Sequence, residues 1–148
     1  MFLFNLTSGP IFGEYYNTSQ INAIDFNEPR NILASGSLDK KIKIWDIEKQ
    51  KCLYAIELDE PILGLSFSPN GNYLVANCLK SSSAKVFETK TFSEICCYFL
   101  HNLDKAYMSI HIGDIPLEVN NRIESIIFDD NNKTIFTAGA DGSIHKWK

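Results

Sequence analysis

The chain has 148 residues, of which 45% are hydrophobic and 22% charged, and its 18 acidic residues outnumber its 14 basic ones, giving a net charge of −4. This balance is typical of a globular domain, and the acidic excess argues against a large phosphate-binding surface, so no direct nucleic-acid contact is expected. No apolar stretch reaches the roughly 18 residues that are needed to cross a bilayer, so no membrane partner is expected either.

Apolar and polar residues alternate along most of the chain, which is the period-2 pattern of β-strands. Turn residues such as those of Pro69–Asn72 and Asp141–Gly142 separate the alternating runs. The predicted strands, in chain order, are Ile11–Tyr16, Ile21–Phe26, Ile32–Ser35, Lys41–Asp46, Cys52–Leu58, Ile62–Phe67, Tyr73–Asn77, Ala84–Phe87, Ile95–Leu100, Ile123–Phe128, Thr134–Ala138 and Ser143–Trp147, with Phe2–Leu6 as a further candidate. Many short strands at regular spacing predict an all-β sandwich, barrel or propeller.

A repeated aromatic spacing favours the propeller. A second aromatic residue follows a phenylalanine after 19 or 20 residues in three pairs: Phe26 and Trp45, Phe67 and Phe87, Phe128 and Trp147. The first two pairs start 41 residues apart, within the range of about 40–45 for four-stranded blades, and the third follows after an insertion of about 20 residues within 88–122. We therefore expect one domain, 1–148, of three repeats at approximately 8–47, 48–88 and 89–148.

The stretches ILASGSLDKKIKIWD and IFTAGADGSIHKWK, which begin at Ile32 and Ile135, resemble WD repeats. In that family a Ser or Thr, an Asp and a Trp join a histidine from the preceding loop in a buried hydrogen-bonded set, which acts as an internal clip for each blade. The resemblance assigns two such clips, formed by Ser35, Asp39 and Trp45 and by Thr137, Asp141 and Trp147.

The chain departs from the family pattern in each repeat. Tyr16-Asn17 stands where the first repeat would carry Gly-His, so the first clip is expected to lack its histidine, and Asn120-Asn121 occupy the approximate place in the third. The second repeat has Asn77, Ser81–Ser83 and Phe87 in place of Ser, Asp and Trp, and its blade is expected to depend on apolar packing alone.

Three blades form an open arc, because natural propellers close with about four to eight. Either the chain is a fragment, or another chain completes the ring. The last blade is expected to lack an outer strand after Trp147. Two copies would give six blades, with Ile11–Tyr16 of one copy pairing beside Ser143–Trp147 of the other.

No catalytic, cofactor or metal motif is present. The sequence contains no nucleophile elbow, P-loop or dinucleotide fingerprint. Asp39, Asp46, Glu48 and Asp141 lie in predicted turns or at strand ends, which favours structural hydrogen bonding. Cys96, Cys97, His101 and His111 match no common ligand spacing, so neither an enzyme, a cofactor nor a metal site is predicted.

The WD resemblance implies a scaffold that binds other protein subunits of a complex. Aromatic and Met residues of the insertion either cover the second blade or contact a partner, and these are Phe92, Tyr98, Phe99, Tyr107 and Met108.

A narrower resemblance suggests a setting for that scaffold. LTSGPIFGEYY and EPILGLSFSPNGNYLVA, which begin at Leu6 and Glu60, are similar to segments of the seven-bladed subunit i family of eukaryotic translation initiation factor 3. That resemblance implies a cytoplasmic role in assembling the initiation complex on the small ribosomal subunit. The alternative is a nucleolar WD protein of ribosome biogenesis, acting in pre-rRNA processing.

Overall fold

The computed structural model describes residues 4–5, 9–10, 17–79, 83–99, 108–111, 123–130, 134–140 and 142–147. Within these ranges the regular elements are strands and one short 3-10 helix, Glu28–Arg30. The strands are β1 (Phe4–Asn5), β2 (Gly9–Pro10), β3 (Ile21–Asn27), β4 (Ile32–Ser37), β5 (Lys41–Asp46), β6 (Lys51–Glu57), β7 (Ile62–Phe67), β8 (Tyr73–Cys78), β9 (Ser83–Glu88), β10 (Glu94–Phe99), β11 (Met108–His111), β12 (Ile123–Phe128), β13 (Ile135–Gly139) and β14 (Ser143–Trp147).

Three four-stranded antiparallel sheets make up the architecture. The first blade has the order β3-β4-β5-β6, the second β7-β8-β9-β10 and the third β12-β13-β14-β11, while β1 and β2 form a separate pair. This arrangement confirms the predicted all-β, unclosed partial propeller. Between residues 17 and 147 each predicted strand lies within two residues of an observed one, whereas the predicted strand Ile11–Tyr16 falls outside the described residues.

The prediction that the third blade lacks an outer strand was wrong. Met108–His111, from the insertion, pairs antiparallel with β14, with Met108 opposite Lys146 and His111 opposite Ser143. The last blade therefore does not lack an outer strand. The edge at which Ile11–Tyr16 of a second copy was expected to pair is already occupied by the chain's own backbone.

Each blade has two faces, which we call the leading face and the trailing face. On the first blade the leading face carries Ser35 and Trp45, and the trailing face carries Ala34 and Ile44. The trailing face of each of the first two blades packs on the leading face of the next. The first seam buries Ile32, Ala34, Ile42 and Ile44 against Leu65, Phe67, Leu74 and Phe87, and the second buries Val75, Ala84 and Val86 against Ile123, Ile126 and Ile135.

Burial at these seams is the main stabilising term, because each Leu-, Ile- or Phe-sized side chain contributes about 1.5–3 kcal/mol when it is removed from water. The apolar residues named at the two seams are all buried, and Ala34, Ile42, Ile44 and Leu74 have no exposed surface. The alternation of the strands supplies this pattern, since every second side chain points to the same face.

Asparagine amides add a polar component to both seams. Asn22 Nδ2 donates to the carbonyl oxygen of Ile62 at 2.9 Å, and Asn77 Nδ2 donates to that of Ile123 at 2.7 Å. In each case the acceptor is the first residue of the next blade's inner strand, β7 or β12. Buried carbonyl groups at the start of these strands thus receive partners from the preceding blade.

Candidate functional site: a hydrogen-bonded clip and a groove at the first seam

Four side chains of the first blade form a continuous hydrogen-bonded chain. Trp45 Nε1 donates to Ser35 Oγ at 2.9 Å, and Ser35 Oγ donates to Asn17 Oδ1 at 3.0 Å. Asn17 Nδ2 then donates to Asp39 Oδ2 at 3.4 Å. Ser35, Trp45 and Asn17 are buried, so their polar atoms need these partners. The predicted clip of Ser35, Asp39 and Trp45 is thus joined through Asn17.

Asn17 is the residue whose role the sequence reasoning missed. It stands in the loop where the family has a histidine. Because asparagine has no imidazole, the sequence suggested an incomplete clip. An amide carries an acceptor oxygen and a donor nitrogen, so it can bridge a hydroxyl and a carboxylate as a histidine does. That donor and acceptor capacity was the available signal.

Asp39 anchors the clip to the backbone of two segments. Its Oδ2 accepts from Thr18 N at 2.8 Å, and its Oδ1 accepts from Lys41 N at 3.0 Å. Burial raises the pKa of Asp39, but the hydrogen bonds from Thr18, Lys41 and Ser37 outweigh it and hold the pKa below its ordinary value of 3.8. The carboxylate is therefore the charged, acceptor end of the clip and is poorly suited to act as a general base near neutral pH.

The second blade replaces the clip with apolar side chains, but not in the predicted register. Leu74 pairs with both Phe67 and Phe87, as Leu33 pairs with both Phe26 and Trp45, so Ala76 is the residue equivalent to Ser35. The assignment of Asn77 to the serine position was wrong. Asn77 lies on the trailing face, where it bonds to Ile123.

An extra residue in a turn explains the error. Ser35 pairs with Lys43, eight residues later, whereas Ala76 pairs with Lys85, nine residues later. The additional residue lies in the connection between β8 and β9, so counting back ten residues from Phe87 reaches Asn77 instead of Ala76. Of the predicted serine run, Ser83 begins β9, and Ser81 and Ser82 fall outside the described residues.

In the third blade Thr137 is buried and pairs across the sheet with His145. Ser143 Oγ and His145 Nε2 are 2.7 Å apart, so these two buried side chains share a hydrogen bond. Trp147 pairs with Ile135, as Trp45 pairs with Leu33, which places Thr137 and Trp147 in positions equivalent to Ser35 and Trp45. Asp141 lies outside the described residues, so the full third clip stays a prediction.

The predicted partner-contact residues occupy different environments. Phe92 is only 8% exposed and packs on the first blade, with its ring centroid 4.9 Å from that of Tyr54. It therefore covers the first seam. Tyr98 and Phe99 lie in the outer strand β10, Met108 begins β11, and Tyr107 is outside the described residues. For these four residues partner contact stays a prediction.

A groove of about 520 Å³ opens at the first seam, where β3 and β7 end. It is lined by Asp25, Phe26, Asn27, Glu28, Pro29, Phe67, Ser68 and Pro69, which include two acidic residues and no basic one. Hydrogen bonds across the seam hold its two walls together. Phe67 N donates to Asp25 Oδ2 at 2.6 Å, and Asn27 Nδ2 donates to the carbonyl oxygen of Gly71 at 2.9 Å.

Reaction chemistry finds no support among the described residues. No group of three or more His, Cys, Asp or Glu side chains in them is arranged to hold a metal ion. Burial raises the pKa of the Cys78 thiol to about 11, so this cysteine is a buried apolar residue and not a nucleophile. Across the part of the chain that the structure covers, no helix is long and apolar enough to span a membrane.

Stacked four-stranded blades with this clip define a WD-type propeller segment. The family model described as "WD domain, G-beta repeat" matches residues 11–46, 50–88 and 117–148, and the chain belongs to this family. Proteins of the family generally act as platforms that bind other proteins.

Curated relatives are diverse WD proteins. The chain is 33% identical over 131 residues to "Small ribosomal subunit protein RACK1" of Neurospora crassa, which covers 88% of the chain and 38% of that protein. It is 26% identical over 137 residues to "Retinoblastoma-binding-like protein E" of Dictyostelium discoideum, covering 88% of the chain and 26% of the relative. It is 30% identical over 87 residues to "U3 small nucleolar RNA-associated protein 21" of Saccharomyces cerevisiae, covering 53% of the chain and 9% of that protein. The chain thus spans less than half the length of each of these relatives.

Proposed function

We propose that the chain is a non-enzymatic docking scaffold, and that the groove at the first seam binds a segment of a partner protein. The observation that carries this proposal is the groove itself, a concave site built jointly by two blades. Phe26, which is 45% exposed, offers an aromatic anchor beside Pro29 and Pro69. Such anchors account for much of the binding energy at protein interfaces.

The walls of the groove are held in place before any partner arrives. Asp25 accepts from the Phe26 and Phe67 backbone N–H groups, which fixes its carboxylate at the seam. Gly71, two residues beyond the lining residue Pro69, is held by Asn27 Nδ2 and by Thr89 Oγ1, which donates to the same carbonyl oxygen at 2.6 Å. A preformed site of this kind loses little conformational entropy on binding.

The charge of the groove defines the partner segment. Asp25 and Glu28 contribute two carboxylates, while the nearby guanidinium of Arg30 is directed to the carbonyl oxygen of Thr89, with Nη1 at 3.1 Å. A segment with a Lys or Arg side chain next to an apolar residue matches this lining, because the cation meets the carboxylates and the apolar group meets Phe26 and the prolines.

We assign the scaffold to a multi-protein assembly linked to the ribosome. The sequence similarity of Leu6–Tyr16 and Glu60–Ala76 to subunit i of eukaryotic translation initiation factor 3 supports a cytoplasmic role in assembling the initiation complex on the small ribosomal subunit. The relative named as a small ribosomal subunit protein is consistent with this setting. The relative named for U3 small nucleolar RNA supports the second candidate, a nucleolar role in ribosome biogenesis.

Affinity purification of the tagged chain tests both the choice of assembly and the role of the groove in binding. Recovery of initiation factors supports the first assignment, and recovery of nucleolar assembly factors supports the second. The substitution Glu28→Lys reverses a charge in the groove and is expected to reduce recovery of the partner at least tenfold. Glu48→Lys makes the same charge change at an exposed turn away from the groove and is the matched control. Equal recovery with both variants would show that the groove is not the binding site.

A further inference from the structure

The turn that continues from the groove residue Pro69 contains a chemically reactive pair of residues. Asn70 is followed by Gly71, and this is the sole Asn-Gly pair in the sequence. In such a pair the backbone nitrogen of the glycine can attack the side-chain carbonyl carbon of the asparagine, because a glycine without Cβ leaves its nitrogen sterically accessible. Asn70 is exposed, so water reaches its side chain.

Hydrogen bonds within the folded turn restrain both reacting groups. Gly71 N donates to the carbonyl oxygen of Ser68 at 2.8 Å, which closes the turn and fixes the backbone of Asn70. Asn70 Oδ1 accepts from Ser68 Oγ at 2.8 Å and from Asn72 N at 3.0 Å, which fixes the side-chain amide. Attack needs a nitrogen that has lost its proton and is aligned with the carbon at about 3–3.5 Å. The turn therefore has to open before the new bond can form.

The first seam keeps this turn closed. The carbonyl oxygen of Gly71 accepts from Asn27 Nδ2 on the first blade at 2.9 Å and from Thr89 Oγ1 on the second at 2.6 Å. Asn27 and Thr89 are each 1% exposed, so neither donor has water as an alternative partner. Thr89 N also donates to the carbonyl oxygen of Asn72 at 2.9 Å. The two residues that follow Asn70 are thus attached to the blades on both sides of the seam.

We propose that Asn70 is a site of spontaneous modification whose reactivity is controlled by the first seam. When the turn opens, Gly71 N attacks Asn70 Cγ, and the new N–C bond closes a succinimide ring. The bond from Cγ to Nδ2 breaks, and Nδ2 leaves as ammonia with the proton of Gly71 N. Water then opens the ring at one of its two carbonyl groups. Opening at one carbonyl gives aspartate, and opening at the other gives isoaspartate, whose main chain is one methylene longer.

The two products affect the seam differently. Aspartate keeps the length of the main chain and an acceptor oxygen at position 70. Isoaspartate lengthens the main chain beside Gly71, so its buried carbonyl oxygen can no longer meet both Asn27 and Thr89, and hydrogen bonds across the seam are lost. One slow reaction thereby converts a turn that holds the seam into one that does not. This consequence does not depend on whether a partner binds in the groove.

Peptide mapping by mass spectrometry, after incubation of the chain in mildly alkaline buffer, measures the reaction. Deamidation of Asn70 is expected to be slower by about tenfold or more in the folded chain than in the same chain in urea, because only the open turn reacts. Thr89→Val removes one donor to Gly71 and should accelerate the reaction of the folded chain severalfold. Thr137→Val removes a similarly buried hydroxyl from the third blade and is the matched control, for which the wild-type rate is expected.

Equal rates in the folded and urea-unfolded chain would overturn the control by the seam, and so would equal rates for the two threonine variants. Chain that has reacted in urea and been refolded tests the consequence, with its share of isoaspartate measured by peptide mapping. This chain is expected to unfold at a lower urea concentration than an Asn70→Ser chain treated in the same way, which has no side-chain carbonyl to be attacked. An isoaspartyl chain that unfolds at the same urea concentration would show that the reaction leaves the seam intact.

Discussion

Ser35 Oγ donates a hydrogen bond to Asn17 Oδ1 at 3.0 Å, which links the indole of Trp45 on one side to the carboxylate of Asp39 on the other. The amide takes the place of the family's histidine without interrupting the chain of donors. The loop before β3 is thereby attached to β4, β5 and the turn between them. A repeat that looks degenerate in sequence therefore retains its clip.

The bridging role of Asn17 predicts different outcomes for two substitutions. Asn17→Leu removes the donor and the acceptor and leaves Ser35 and Asp39 without this partner, so the free energy of unfolding should fall by about 1–3 kcal/mol. Asn17→His keeps both functions and should remain within about 0.5 kcal/mol of the wild type. Urea unfolding followed by tryptophan fluorescence measures both. A histidine variant as unstable as the leucine variant would contradict the bridge.

The register of the second blade can be tested by rebuilding its clip. Phe87→Trp buries an indole N–H with no hydroxyl beside it and should destabilise the chain by about 1–3 kcal/mol. Adding Ala76→Ser supplies the acceptor that Ser35 provides in the first blade, and a favourable coupling of about 1 kcal/mol is expected from the double-mutant cycle.

Asn77→Ser combined with Phe87→Trp is the control for this cycle. Asn77 lies on the trailing face, so its replacement cannot reach the indole and no favourable coupling is expected. Coupling to residue 77 instead of residue 76 would show that the predicted serine position was right and that the observed register is not.

Asp39 should make stability depend on pH in the acidic range. Its pKa is lowered in the folded state, so the charged clip contributes stability that is fully present above the unfolded value near 3.8 and is lost as the pH falls through the folded pKa. The free energy of unfolding of Asp39→Asn should therefore be lower than that of the wild type at neutral pH, and this difference should shrink below about pH 4. Urea unfolding at a series of pH values gives this comparison, and a pH-independent difference would contradict it.

Gly71 is expected to tolerate no side chain. Its φ is +70°, and an added Cβ would collide with the Asn27 amide that crosses the first seam. Gly71→Ala should lower the free energy of unfolding by about 1–2 kcal/mol, because a residue with a Cβ is strained in the left-handed conformation. A further loss is expected because the Asn27 amide can no longer keep its hydrogen bond across the seam. Gly142→Ala, at a φ of +79°, shares the backbone penalty and is the control. Equal losses for the two variants would argue against a role of Asn27 and Gly71 in the seam.

Much of this architecture could be predicted because strand alternation and turn residues are local signals. The strands from Ile21 to Phe99 were found within two residues for this reason. The outer strand β11 was not, because it pairs with a strand that follows some 30 residues later and its four residues carry little periodicity of their own. The exposure of Ile24 and Phe26 could not be predicted either. Their pattern matches that of Leu65 and Phe67, and only the stacking of the blades distinguishes them.

The site was predictable where a residue acts within its own repeat. Ser35, Asp39 and Trp45 were assigned from one continuous stretch, and the structure brings them together. The groove depends on turns from two repeats that meet only in the folded chain, so no local pattern identified it. Phe92 was predicted from residue type alone, and its burial against Tyr54 depends on the same seam.

Hydrogen–deuterium exchange of the chain, alone and with the partner recovered by affinity purification, tests the docking claim most directly. Partner binding is expected to slow exchange at backbone amides of residues 25–28 and 67–68, which lie in the two walls of the groove. Slowed exchange confined to the outer strand β10 or to residues 108–111, with the groove amides unchanged, would contradict it.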